Sequence, residues 1–204
     1  MDETKIDTTQ LSEAEQPSNS SSVGSFVWEL VKILAISLII IVPFRVFVAE
    51  PFIVSGHSMV PNFQDREYLI VNKAVYLTGQ PKRGDVIVLK YPKNTKEYFI
   101  KRIIGLPGDT IKIDQGRVII SNPENPDGKV LKEDYLSEDL LTIGPTESVT
   151  LKDSEYYVLG DNRNASLDSR VWGILPRNDV VGKAFIRVLP LSRFSVFTYN
   201  DVLK

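Results

Sequence analysis

The chain has no cysteine, which excludes thiol catalysis, disulfide staples and thiolate metal centres. It has one histidine, His57, so a site built from several His ligands is impossible, and nothing motivates a carboxylate-only metal site. Basic excess is missing too: 24 Lys and Arg stand against 26 Asp and Glu, a net charge of −2 that gives no reason to expect nucleic acid as a partner. Beyond Pro51 there is no long amphipathic helical period and no internal repeat. With 43% apolar and 25% charged residues, the 204 positions suit one ordinary globular domain with an appendage.

The appendage is N-terminal. Residues 1–24 are polar and rich in Ser, Thr, Glu and Gln, a composition that buries too little apolar surface to order itself, and they read as a disordered tail. Residues 25–49 read as a transmembrane anchor. The uncharged stretch from Ile33 to Phe44 is only 12 residues, short of the ~20 that a spanning helix needs. Lys32 and Arg45 bracket it, and their long stems can snorkel outward from both ends. The alternative is a cleaved signal peptide. A cut after Ala49 would put Phe47 at the third position back, where a small residue is preferred, so a retained anchor is the better reading. Few basic residues flank the segment (Lys5 and Lys32 before, Arg45 after), and the positive-inside rule only weakly favours an internal N-terminus.

From residue 50 to 204 short β-branched and aromatic runs alternate with turn residues. Strands are expected at Phe52–Ser55, Tyr68–Asn72, Asp85–Tyr91, Tyr98–Ile104, Thr110–Ile113, Arg117–Ser121, Ser148–Leu151, Tyr156–Leu159 and Val180–Val188, with a hairpin loop at Asp114-Gln115-Gly116. Asn122 to Gly128, with two prolines, reads as an irregular excursion that the acidic stretch Glu133–Asp139 continues. The fold class is therefore mainly β: an antiparallel sheet domain behind one helix, with a small insertion around 112–153.

Three segments have the makings of chemistry. Ser58 follows Gly56, which permits close backbone approach, and precedes Met59 and Pro61, which restricts the chain after it. Its hydroxyl can be presented to a substrate, and its own N–H can face a developing oxyanion. The plain alternative is a turn serine. Lys101 sits in Tyr98-Phe99-Ile100-Lys101-Arg102-Ile103-Ile104, and in a strand it shares a face with Phe99 and Ile103. Desolvation there lowers a lysine pKa toward neutrality and makes it a base. A lysine snorkelling from an edge strand is the competing explanation.

The third segment is Gly160-Asp161-Asn162-Arg163-Asn164-Ala165-Ser166-Leu167-Asp168-Ser169-Arg170-Val171-Trp172-Gly173. Such a density of short polar groups between apolar ends builds a rigid loop, in which Asp168 can pair with Arg170 and Ser166 can orient a lysine. His57 adjoins Ser58, but neighbouring strand residues point to opposite faces, so it is a poor base for that serine. Arg83-Gly84-Asp85 reads as a turn feeding a strand, and Asn164-Ala165-Ser166 as a chance match to a glycosylation pattern.

Taken in order, these segments resemble the type I signal peptidase (leader peptidase) family across nearly all of residues 26–190. The resemblance rests on Ser-Gly-x-Ser-Met-x-Pro at 55–61, Arg83 to Val88, Lys101-Arg102-Ile103-Ile104-Gly105-Leu106-Pro107-Gly108-Asp109, and Gly160-Asp161-Asn162-Arg163 with Ser166, Asp168, Ser169 and Arg170. It implies a membrane serine endopeptidase with Ser58 as nucleophile and Lys101 as general base. Ser166 would hold the lysine amine, and Asp168 and Arg170 would form a supporting ion pair.

It further implies an all-β catalytic domain on the extracytoplasmic side of the cell membrane, a single pass, and secretory preproteins as substrates, cut after small residues. The lipid bilayer is an expected partner, the chain is expected to be monomeric, and no cofactor is called for. Two positions depart from the family pattern. Gly56 stands where some members carry a hydroxyl residue, and Asn62-Phe63 replaces the usual Thr-Leu. The competing readings are a self-cleaving Ser-Lys protease of the repressor type and a catalytically dead anchored binding module.

Overall fold

The computed structural model of the chain describes residues 23–197, so the expected disordered tail lies almost wholly outside the described residues. The first compact unit, ending at Ile41, contains most of helix α1 (Val23–Pro43). Its 21 residues carry little charge, none of them is buried, and by length and composition the helix could cross a membrane. A π-helical turn, Phe44–Val48, follows.

The second unit is β-rich. Its larger sheet runs in the order β1 (Ala49–Ile53), β2 (Tyr68–Asn72), β11 (Val180–Leu189), β3 (Val86–Tyr91), β4 (Asn94–Gly105), β9 (Glu155–Leu159), β10 (Leu175–Pro176), with β12 (Ser195–Val196) also on β11. Every pairing in it is antiparallel. A smaller sheet in the order β7 (Asn125–Val130), β6 (Arg117–Asn122), β5 (Thr110–Asp114), β8 (Val149–Thr150) grows out of the chain between β4 and β9. The fold is thus mainly antiparallel β behind one apolar helix, as the sequence leads one to expect.

Three of the strands differ from expectation for identifiable reasons. β1 begins at Ala49 and not at Phe52, because a proline is tolerated on an edge strand, where its missing N–H can face outward; Pro51 pairs with Ile70. β7 falls in the segment read as irregular. Pro126 and Gly128 disguise it, yet it too is an edge. β4 starts at Asn94, four residues early, since its first turn of chain is solvent-exposed and shows no apolar alternation.

Core packing explains why the site is rigid. One cluster, with Ile87, Leu89, Ile103, Val158 and Leu175 completely buried, lies under β3, β4 and β9. Each such aliphatic side chain contributes about 1.5–3 kcal/mol of transfer free energy. A second, of Val54, Met59, Phe63, Leu69, Val86, Ile100 and Ala184, lies beneath the segment that carries Ser58. The Arg83-Gly84-Asp85 turn is structural: Arg83 pairs with buried Asp109 at 2.9 Å, and Asp85 accepts from Tyr76 at 2.8 Å and pairs with Lys183 at 2.6 Å. Burial and the adjacent Asp85 carboxylate push the Tyr76 phenol far above its usual range.

Candidate active site

Lys101 is on β4 at the point where β9 leaves it. β9 pairs with β4 from Arg102 onward, and among the described residues no strand occupies that edge from Asn94 to Lys101. Ser58 lies on the turn after β1, half-buried, and its carbonyl receives the N–H of Asn162 at 3.0 Å. The Lys101 Nζ lies 2.7 Å from Ser58 Oγ and also donates to the Ile100 carbonyl at 3.0 Å. Lys101 is only 3% exposed. Burial brings its pKa down from 10.5 to about 8, with Asp168 and Asp161 pulling the other way. A sizeable fraction of the amine is therefore neutral near pH 7–8, as a general base requires.

Ser58 is held from below and behind. Met59 is buried in the core, and its Sδ accepts the Asp161 N–H at 3.4 Å. Met59 accordingly anchors the loop and does not line the cavity beside Ser58. The Ser58 N–H makes no hydrogen bond among the described residues and is free to bind an oxyanion. His57 is exposed, and only its backbone takes part, accepting from Asn162 Nδ2 at 3.1 Å.

Gly56 has φ +91°, and a Cβ there would meet nothing within 4 Å, so the backbone conformation alone demands glycine. Gly56→Ala is expected to cost about 1–2 kcal/mol, read from a lowered urea midpoint at unchanged slope.

The polar loop is a chain of buried ion pairs. Asp168 is fully buried; burial alone would raise its pKa, but two bonds from Arg170 and the Gly160 N–H at 3.0 Å hold it below the carboxylate norm. Asp161, also fully buried, takes a two-pronged contact from Arg102 at 2.8 and 2.7 Å and a bond from Asn62 Nδ2 at 2.9 Å. Arg163 binds the Glu133 carboxylate, Thr142 and the Gly160 carbonyl.

Ser166 Oγ is buried and has no partner with hydrogen-bond geometry, although it lies close enough to Asp168 to favour the carboxylate form. Lys101 bonds to Ser58 and Ile100 and not to Ser166, so the expected bond between Ser166 and the lysine amine is not made here. Gly160 packs so closely that a Cβ would lie 2.2 Å from Ser166 Oγ and 2.4 Å from the Ser58 carbonyl oxygen.

Sequence reasoning missed Arg102, Glu133, Tyr135 and Thr142. The ring of Tyr135 lies 3.9 Å from the Arg102 guanidinium, and its carbonyl accepts from Asn62 at 2.9 Å. The acidic run at 133–139 was the available signal, since one of its carboxylates, Glu133, is mostly buried against Arg163. Asn62 and Phe63, the departures from the family pattern, are both absorbed here, Asn62 in this network and Phe63 in the core.

Beside Ser58 and Lys101 opens a cavity of about 90 Å³, lined chiefly by Phe52, Val54, Leu69, Val88, Tyr98 and Ile100. It is small, lined mostly by apolar side chains, and directly next to both groups. A serine–lysine contact, half-buried on the serine side, thus opens onto this cavity and is backed by ion pairs. The model of the family described as signal peptidase, peptidase S26, matches residues 27–189. The chain belongs to this family.

A probable signal peptidase I-2 of Synechocystis sp. is 39% identical over 83% of this chain and 77% of its own length. A signal peptidase I of Leptolyngbya laminosa is 35% identical over 91% of each chain. A crystal structure of a signal peptidase I from Enterococcus faecalis, 30% identical, aligns with 51% of this chain and 96% of its own at a TM-score of 0.42. The chain is accordingly a serine peptidase of the signal-peptide-removing family, with an N-terminal apolar helix that fits a membrane anchor.

Proposed function

We propose that the chain is a membrane-anchored endopeptidase that removes signal peptides through a Ser58–Lys101 dyad and cuts after small residues. The observation that carries this reading is the 2.7 Å contact between a 97%-shielded lysine and Ser58 at the head of a small apolar cavity. Neutral Lys101 takes the Ser58 proton as Oγ attacks the scissile carbonyl. The Ser58 N–H receives the oxyanion, Lys101 passes the proton to the leaving amine, and the mature protein departs. Lys101 then draws a proton from water, which hydrolyses the acyl-enzyme.

Gly56, Met59, Asp161, Asn162 and Arg163 act as positioning residues for the serine turn; Asp168, Arg170 and Ser166 support the lysine side. The precursor lies as an extended strand along the free edge of β4, with side chains at the last and third-last signal positions turned into the cavity. A cavity of about 90 Å³ shared between two side chains favours small groups at both positions. Residues 25–49 serve as the anchor, and residues 50–204 work as a monomeric, cofactor-free domain on the extracytoplasmic side.

The test is in-membrane processing of a precursor with Ala at the last and third-last signal positions. Wild type is expected to cleave it and Ser58→Ala, equally expressed, to leave it intact. The wild-type rate should rise about tenfold per pH unit below pH ~8 and level off above it, following deprotonation of Lys101. Cleavage that survives Ser58→Ala would end the assignment.

A further inference from the structure

Ser58 and Lys101 stand 43 residues apart in the chain. β1, which leads into the serine turn, is separated from β4 in the sheet order by β2, β11 and β3. A 2.7 Å contact between the two side chains therefore needs ties of its own. Two such ties meet at Asn62, a residue with no part in the proposed proton transfers.

Asn62 lies four positions after Ser58, and the backbone between them is tightly turned, with the Phe63 N–H bonded to the Met59 carbonyl at 2.9 Å. Arg102 lies one position after Lys101 on β4. The two meet on the Asp161 carboxylate: Asn62 Nδ2 donates to Oδ2 at 2.9 Å, and Arg102 Nη2 donates to the same oxygen at 2.7 Å. They meet again at Tyr135, whose carbonyl accepts from Asn62 Nδ2 at 2.9 Å and whose ring lies 3.9 Å from the Arg102 guanidinium. Asp161 is fully buried, so the bonds to it form in a low-dielectric setting, where each is stronger than in water. The primary amide supplies two N–H groups, one for each acceptor, whereas a threonine hydroxyl in its place supplies one.

From this geometry we propose that Asn62 is a positioning residue that fastens the serine turn to the lysine strand through Asp161 and Tyr135, and so sets the reach of Lys101 Nζ to Ser58 Oγ. The inference rests on the Ser58–Lys101 reading and deepens it. With the amide gone, Asn162 still bonds the Ser58 carbonyl and the Met59 sulfur still takes the Asp161 N–H, so the turn shifts and does not detach. A shift of roughly a few tenths of an ångström is a fraction of the ~1 Å that costs two orders of magnitude in rate, and the expected loss is about tenfold. The charges that act on Lys101 are Asp168 and Asp161, paired with Arg170 and Arg102. Taking a donor from Asp161 leaves its negative charge less compensated, which favours the protonated lysine.

Precursor cleavage by the full-length, membrane-inserted chain is the test. Asn62→Ala removes both donors, and Asn62→Asp removes them at nearly unchanged size. Each should lose about tenfold in kcat with KM within about twofold. In each, the rising limb of the pH profile should lie above the wild type's pH ~8. Asn62→Thr, which restores the residue of the family pattern and keeps one donor, should fold and lie between, about threefold below wild type.

Circular dichroism and a urea midpoint give the folded fraction of each variant. An amide that serves stability alone would lower the midpoint and leave both the kcat of the folded enzyme and the pH limb in place. Wild-type kcat per folded enzyme in any of the three variants, or a threonine variant no better than alanine, overturns the role of Asn62. Failure of the dyad looks different. A wild type that does not cleave, or a Ser58→Ala that does, ends the dyad reading and this one with it, whereas a working dyad with unaltered Asn62 variants ends this one alone.

Discussion

Lys101→Met is expected to abolish precursor cleavage and, at the same time, to raise the stability of the fold at neutral pH. The loss in rate should be at least about 10⁴-fold, because both the base and the later proton donor vanish with one side chain. The gain in stability follows from linkage. Lys101 titrates at about 8 in the folded chain against 10.5 in the free side chain. Below pH ~8 both states hold the proton, and folding bears the whole cost of burying the ammonium. Between pH ~8 and ~10.5 only the unfolded chain holds it, so wild-type stability climbs with pH by up to roughly 3 kcal/mol and is level beyond. Methionine has nearly the same length and no charge.

At pH 7 the variant should therefore gain about 1–3 kcal/mol, a rise of several degrees in Tm for a domain of this size. Its stability should also stay flat across the pH window in which wild type gains. Calorimetry of both proteins at pH 7 and pH 10 checks this. A variant less stable than wild type at both values would show that the Lys101 amine is not buried at a cost.

Gly160→Ala is expected to lose about 10²-fold in kcat with little change in KM. The added Cβ would sit 2.4 Å from the Ser58 carbonyl oxygen and 2.2 Å from Ser166 Oγ. The serine side chain can rotate away, but the carbonyl cannot move alone, because it accepts the Asn162 N–H at 3.0 Å. Restoring a normal contact displaces the Ser58 backbone by roughly 1 Å, a misplacement that costs about two orders of magnitude in rate. The overpacking should also lower stability by about 1–3 kcal/mol. Steady-state kinetics and a urea melt of the same preparation separate the two effects. Full activity in this variant would mean that the Gly160 segment does not set the position of Ser58.

Much of this was legible in the sequence where one segment decides its own structure. Tyr68–Asn72 has the period of a strand and is one over those same residues, and the 114–116 turn joins β5 to β6 as its composition implies. The meeting of Ser58 and Lys101, 43 residues apart, was reachable only because each carries a local oddity: a serine between Gly and Pro, and a lysine in an apolar strand. The partners of the remaining buried charges carry no such mark. Glu67 is 1% exposed and answers Arg187 and Arg193, each at 2.8 Å, yet nothing near residue 67 announces a pair more than a hundred positions away. Long-range ion pairs are settled by the topology, and local pattern does not contain it.

The outer edge of β4 from Asn94 to Lys101, which no strand occupies among the described residues, also bears on how this protein behaves in a tube. A row of free amides and carbonyls beside a small apolar hollow attracts any extended chain, including a neighbour's hairpin. Under the proposed function, signal peptides are expected to win that competition on a membrane. In concentrated detergent the same row is open to other copies, so specific activity should fall as enzyme concentration rises, and a bound peptide should protect against self-association. An edge that receives an extended precursor, as proposed, can receive another copy of the chain as well.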